Sequence, residues 1–235
     1  MPKKNLATFG CSLSSDSWGT SWPDYISSAL DCNLIRASSP GAGNGFYIEK
    51  LNHVIKHNNI DLVIIQLTEP SRVVLGLTSV EQHGKMKNFK LNDSNSFGDL
   101  GTYTWNTQMN EDNIKRITGH EVVVDNFFIP EVSLSKWVDY KILQDICTMQ
   151  YMCDSFNVPC IFWSWFVPFD KLFLPQYEWL KDRINYIDGC ALDYINNNHI
   201  QCIPNDGHYD SNGQAMICDG WLTPSIEKIY SAIAR

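Results

Sequence analysis

The chain has 235 residues, of which 44% are hydrophobic and 19% are charged, a composition typical of globular proteins rather than disordered chains. Its formal net charge of −8 at pH 7 argues against nucleic acid as a partner, because phosphate binding requires a basic surface. The sequence shows no apolar run of membrane-span or signal-peptide length, and its eight cysteines include no Cys-x-x-Cys pair, so we expect a reduced, cytoplasmic protein without membrane insertion.

The first third of the chain alternates between short apolar strands and amphipathic helices. Residues 5–12 predict a strand that ends in small residues, and residues 21–31 predict a helix with a serine cap and a proline in its first turn. Residues 32–39 predict a second strand, and residues 46–59 a helix with one apolar face. Residues 61–68 are almost entirely apolar, which is typical of a strand buried on both faces of a parallel sheet.

The alternation stops near residue 70 and resumes near residue 135. The polar segment at about 70–135 is longer than an ordinary loop, so it predicts an insertion with structure of its own, such as a lid. Beyond it, residues 137–157 predict a long amphipathic helix and residues 159–168 a fourth buried strand. A partly helical stretch over 177–198, a last short strand over 199–206 and a terminal helix complete the predicted order.

This order predicts the α/β class, with a central parallel sheet between two layers of helices and a single domain over residues 1–235. In open parallel sheets, ligands bind beyond the carboxyl ends of the strands. Three segments with chemical potential follow predicted strands, so we expect them at one edge of the sheet.

The first segment is Gly10-Cys11-Ser12, at the turn from the first strand to the first helix. A serine at such a turn exposes its hydroxyl at the sheet edge, and the N–H groups of the turn lie near any oxyanion formed there. The alternative is a serine that only caps the following helix.

The second segment is the glycine-rich run from Pro40 to Gly45. Its backbone N–H at Gly41 and the side-chain amide of Asn44 are candidate donors to the same oxyanion. The alternatives are a flexible turn or a dinucleotide-binding loop, although Phe46 stands where that fingerprint requires its final glycine.

The third segment surrounds His208, two residues after Asp206. An imidazole can accept the proton of a serine, and a nearby carboxylate holds it in the required tautomer. The other notable histidines, His53 and His57, lie one helical turn apart without a catalytic glutamate, so we interpret them as a solvated face and predict no metal site.

Together the three segments resemble the SGNH (GDSL-type) hydrolases. Gly10-Cys11-Ser12 matches the Gly-Asp-Ser block with cysteine in place of aspartate, Gly41 matches the second glycine block, and Asp206 with His208 matches the C-terminal block. The resemblance implies a flavodoxin-like α/β/α sandwich that hydrolyses esters without a cofactor.

Two features depart from that family pattern. The third block, Gly-x-Asn-Asp, is replaced by residues 66–72, which contain no asparagine. Thr68, Gln66 or Asn44 is the candidate replacement donor, and losing one such donor typically costs about 10²–10³ in rate. Thr68 and Arg72 are also candidate substrate contacts. The acid, Asp206, stands one residue nearer to the histidine than the usual Asp-x-x-His spacing.

The predicted function is a serine esterase or deacylase for a small-molecule or glycan ester with a short acyl group. Ser12 is the nucleophile, His208 the base and Asp206 the orienting acid, while the amides of Ser12 and Gly41, with Asn44, form the oxyanion hole. One alternative is a catalytically inactive binding or assembly protein of the same fold. A more distant alternative is a nucleotide-binding module that uses the glycine loop.

Overall fold

The computed structural model describes residues 2–16, 19–38, 42–68, 73–76, 102–105, 136–172, 175–204 and 206–233. Gly41, Arg72 and most of the predicted insertion lie outside these residues. The strands are β1 (Asn5–Phe9), β2 (Asn33–Arg36), β3 (Leu62–Leu67), β4 (Val73–Gly76), β5 (Thr102–Trp105) and β6 (Cys160–Ser164). The helices are α1 (Trp22–Ala29), α2 (Asn44–His57), α3 (Lys136–Ser155), α4 (Phe169–Leu172), α5 (Ala191–Asn197), α6 (Ser211–Ile217) and α7 (Thr223–Ile233).

Four parallel strands form the central sheet in the order β2-β1-β3-β6. The pairing sets Ala7 of β1 between Ile35 of β2 and Val63 of β3, so β1 has a partner on both sides. All six residues of β3 are buried, as the apolar run predicts. The order corresponds to that of flavodoxin-like folds, with β6 as the fourth strand of the sheet.

Helices cover both faces of this sheet. Side chains alternate along a strand, so Ala7 and Phe9 join the apolar cluster that packs against α2 and α3. Leu6 joins the opposite cluster, which contains buried residues of α1, α5, α6 and α7. The predicted three-layer α/β/α fold is therefore confirmed.

The predicted strand over 199–206 is wrong. Ile203 donates its N–H to the carbonyl of His208 (2.7 Å) and accepts the N–H of Asp206 (3.1 Å), so these backbone groups close a loop instead of joining the sheet. The edge of β6 is taken by residues just before α5, where Phe162 forms a parallel bridge with Tyr186. The stretch over 177–198 consists of a 3-10 segment, Pro175–Arg183, followed by α5.

Within the predicted insertion, β4 and β5 form an antiparallel pair, and β4 lies beside α2. Among the described residues, no helix combines the length and apolar character needed to cross a membrane.

Candidate active site

Ser12 lies in a tight turn directly after β1, which we call the Ser12 turn (residues 10–15). The turn is a short 3-10 segment over Ser12–Ser14, in which the N–H of Ser14 donates to the Cys11 carbonyl (3.0 Å) and that of Ser15 to the Ser12 carbonyl (3.1 Å). Cys11 and Ser14 are fully buried, whereas Ser12 is partly exposed. The turn therefore presents Ser12 at the carboxyl edge of the sheet, as expected.

A buried polar network lies under this turn. The indole Nε1 of Trp22 donates to Ser14 Oγ (2.7 Å) and approaches Gln66 Oε1 (3.3 Å), and Ser14 Oγ in turn donates to Gln66 Oε1. The other end of the Gln66 amide, Nε2, donates to Cys11 Sγ (3.5 Å). Because Gln66 is fully buried and both ends of its amide are bonded here, it does not supply the missing oxyanion donor.

The same network restricts position 10 to glycine. A Cβ at this position would overlap Ser14 Oγ and would lie 2.7 Å from Gln66 Oε1. The position thus requires glycine because of close packing.

The His208 loop (residues 203–210) lies before α6. The ring nitrogen Nδ1 of His208 contacts Asp206 Oδ1, and the backbone N–H of His208 donates to the same oxygen (3.2 Å). Gly207 between them has φ +79°, a left-handed conformation that glycine adopts readily. This conformation brings the carboxylate and the imidazole together at the shortened Asp-x-His spacing.

Hydrogen bonds tie the start of α6 to the Ser12 turn and to α1. Gln214 Nε2 donates to the carbonyl of Leu13 (3.3 Å). Ser211 accepts the N–H of Thr20 with its hydroxyl (2.9 Å) and the hydroxyl of Tyr25 with its carbonyl (2.9 Å). The helix that follows His208 is thus anchored to the turn that carries Ser12.

Ser12 and His208 line the same shallow surface depression, or cleft. Burial raises the pKa of Tyr209, so its hydroxyl stays protonated at neutral pH. Small polar side chains dominate the walls, which are completed by Leu13, Ser15, Gly19, Thr20, Ser21, Tyr209 and Gln214.

Asn44 is the first residue of α2 and is 5% exposed. Its Oδ1 accepts the N–H of Thr68 (3.1 Å), so Nδ2 is the end of the amide that can donate to another group. The Thr68 hydroxyl is buried and has no hydrogen-bond partner among the described residues. Gly41 and Arg72 lie outside the described residues, so their predicted roles stay predictions.

Sequence reasoning missed the supporting roles of Ser14, Trp22 and Gln214. The one visible signal was Gln66, a lone amide in an otherwise apolar strand.

A scan against sequence models of protein families finds no match, and a search of curated proteins finds none either. Solved structures do match over nearly the whole chain. The psychrotrophic esterase EstA from Pseudoalteromonas sp. is 14% identical, with a TM-score of 0.52 over 97% of this chain and 100% of that chain. TesA is 11% identical, with a TM-score of 0.53 over 96% of this chain and 99% of that chain.

A third structure, from Desulfitobacterium hafniense DCB-2, is described as lipolytic and of the G-D-S-L family. It is 10% identical, with a TM-score of 0.50 over 97% of this chain and 99% of that chain. The chain has the fold of the SGNH (GDSL-type) hydrolases. This agrees with the resemblance carried by the sequence blocks around Ser12 and His208.

Proposed function

We propose that this protein is a serine hydrolase that cleaves an ester through an acyl-enzyme. The observation that carries the proposal is the shallow cleft lined by both Ser12 and His208, with the Asp206 carboxylate against Nδ1 of the imidazole. The cleft opens at the carboxyl edge of the sheet, where ligands bind in this type of fold.

The mechanism follows from the two ring nitrogens of His208. Because Nδ1 contacts Asp206, Nε2 is the nitrogen that exchanges a proton with Ser12. Ser12 Oγ attacks the carbonyl carbon as its proton passes to Nε2, and the tetrahedral intermediate collapses when Nε2 returns that proton to the leaving alcohol. A water molecule then attacks the acyl-enzyme by the same route, releasing the acid and restoring Ser12.

The oxyanion of each intermediate needs donors on the opposite side from His208. We assign this role to the N–H groups of Ser12 and Gly41 and to Nδ2 of Asn44. The bond from Thr68 to Asn44 Oδ1 supports the assignment, because it fixes the rotation of the amide within the buried start of α2. Asn44 would thereby replace the asparagine that the third block lacks.

The cleft favours a small, uncharged substrate. Its walls carry hydroxyl groups from Ser15, Thr20 and Tyr209, which suit polar alcohols such as sugars. Arg36 at the end of β2 is paired with Asp24 (2.5 Å) and Asp16 (3.3 Å), so its charge is already neutralised. We therefore propose short-chain acyl esters, with acetylated carbohydrates as one class to test.

The test is labelling by a fluorophosphonate, followed by peptide mass spectrometry. EstA, which shares the fold, has been captured inhibited by monoethylphosphonate. We expect one adduct on Ser12 in the wild type, none in Ser12→Ala, and unchanged labelling in Ser155→Ala, which removes a hydroxyl from the far end of α3. An unlabelled but folded wild type would contradict the hydrolase proposal and favour the inactive binding protein, the alternative that the missing third-block asparagine supports.

A further inference from the structure

We infer that Gln66 is a positioning residue that holds the Ser12 turn in its reactive geometry, an inference that rests on the proposed function. Gln66 belongs to β3, the strand next to β1, and its side chain reaches back under the turn that follows β1. It touches neither substrate nor oxyanion in this role and acts through the backbone of Ser12.

The contacts of Gln66 bracket the nucleophile. Its Nε2 bonds to Cys11, directly before Ser12, and its Oε1 accepts from Ser14, two residues after Ser12. Trp22 donates into the same pair of oxygens from α1. Gln66 thus links Cys11 and Ser14 of the turn to β3, and Trp22 links the same network to α1. Both elements are packed in the core.

Gln66 would destabilise the core if its amide made no hydrogen bonds. It is fully buried in a strand whose other residues are Leu, Val and Ile, and an amide without partners is costly to bury there. A fully bonded buried network selects one arrangement of the groups it connects. Here the arrangement selected is that of the turn carrying Ser12.

Thr8 provides a matched control from the neighbouring strand. It is also a fully buried polar residue of the sheet, but its hydroxyl bonds to no described group. Thr8→Val therefore removes a buried polar atom that makes no hydrogen bond to the described residues of the Ser12 turn.

Two substitutions separate positioning from packing. Gln66→Leu keeps the approximate volume but removes both bonds, so we expect kcat to fall about 10- to 100-fold with KM within about twofold, because small displacements of a reacting group are costly in rate. Gln66→Glu keeps the acceptor oxygens, and its protonated carboxyl can donate towards Cys11, the titratable side chain that contacts Gln66 among the described residues.

Burial raises the pKa of such a carboxyl, so Gln66→Glu should titrate above the ordinary range of glutamate. Its ionisation places a negative charge under the turn that must stabilise an oxyanion. We therefore expect the variant to approach wild-type kcat at low pH and to lose activity through an additional ionisation as the pH rises. If position 66 only fills space, kcat of the folded variant should not depend on this ionisation.

The experiment measures kcat, KM, the fluorophosphonate labelling rate and Tm for the wild type, Gln66→Leu, Gln66→Glu and Thr8→Val. Slower labelling of folded Gln66→Leu, with Thr8→Val unchanged, supports the inference. If Gln66→Leu folds and keeps the wild-type kcat and labelling rate, the inference is wrong while the proposed function stands. If Gln66→Leu does not fold, a pH profile of kcat for Gln66→Glu that matches the wild type overturns the inference instead. An unlabelled wild type overturns the proposed function, and the inference falls with it.

Discussion

The Ser12 turn is hydrogen-bonded to groups buried beneath it, whereas Asp206 and His208 of the His208 loop are hydrogen-bonded to each other. Under the turn, Ser14 and Gln66 are fully buried and joined by a hydrogen bond. In the loop, Asp206 is exposed, and its contacts with Ile203 and His208 are local. The loop reaches the rest of the molecule at its end, where Tyr209 lies against Trp165 with ring centroids 5.8 Å apart.

This difference indicates that packing determines the residue identities around the Ser12 turn, whereas the proposed chemistry explains those in the His208 loop. Around the turn, the identities of Gly10 and Gln66 follow from what they touch in the core. In the loop, the side chains of His208 and Asp206 keep 22% and 35% of their surface exposed, and we explain their pairing by the proposed chemistry rather than by packing in the core. Substitutions of Asp206 and His208 should therefore alter activity more than stability, and substitutions under the turn should alter both.

The largest effect is expected from His208→Gln. Without its base, the proposed hydrolase should lose at least about 10³-fold in kcat on p-nitrophenyl acetate, because triad members act as a unit. The Tm should change much less than kcat, since glutamine places a polar side chain of similar length where 22% of the His208 side chain is exposed. A variant that keeps its turnover would exclude the assigned base, and one that unfolds would contradict the comparison between loop and turn.

Asn44 belongs to the buried half of the site, so its substitution tests whether a buried group also does chemistry. Asn44→Ala should lower kcat by about 10²–10³, with little change in KM, if Nδ2 contacts the oxyanion. It also leaves the buried Thr68 N–H unbonded, at about 1–3 kcal/mol of stability.

Asn44→Asp is the control for that experiment. It preserves an oxygen for Thr68 and replaces the Nδ2 donor with a second oxygen, so the Thr68 hydrogen bond should be kept. Its negative charge also opposes an oxyanion, so kcat should stay low. Full kcat in Asn44→Asp would show that Nδ2 is not an oxyanion donor.

Two glycines give a smaller and direct comparison of the two regions. Gly10→Ala should destabilise the protein by about 1–3 kcal/mol, because the new methyl group overlaps Ser14 Oγ in the core. Gly207→Ala should cost about 1–2 kcal/mol from its left-handed backbone alone, because a Cβ there meets no atom within 4 Å. Urea denaturation measures both. A larger loss for Gly207→Ala would show that the loop is the more constrained region.

The smallest expected effect is on the rate at which the cysteine thiols react. Cys202 is exposed just before the His208 loop and should react first with a disulfide reagent at pH 8. Burial raises the pKa values of Cys190 and Cys218, so both thiols stay protonated and react slowly. Cys202→Ser should remove the fast phase and leave Tm unchanged. A remaining fast phase would show that another cysteine is accessible, with half-buried Cys32 and Cys147 as the first to examine.

The sequence was sufficient for the fold because its signals are local. An apolar run such as 61–68 specifies a buried strand wherever that strand ends up in the sheet. The segment over 199–206 misled because Ile200 and Cys202 stand at alternate positions, as in a strand, while the edge of β6 is already occupied near Tyr186. Periodicity alone does not report that competition.

The candidate site was predictable only in part, for a related reason. The blocks containing Ser12 and His208 are contiguous in the chain and visible as motifs. The network of Trp22, Ser14 and Gln66 depends on the register of β3 against β1 and on where α1 packs, which no single segment encodes.

The strand order also implies that the Ser12 side and the His208 side of the site form at different times during folding. The pairings of β1 with β2 and β3 involve only residues 5–67, whereas β6 joins β3 after the whole segment 68–159 has been closed into a loop. Strands that are close in sequence pair sooner than distant ones, although the entropic cost of closing a loop rises only slowly with its length. A chain emerging from the ribosome should therefore pair the strand that precedes Ser12 well before His208 has been synthesised, so the proposed catalytic pair is completed late in synthesis.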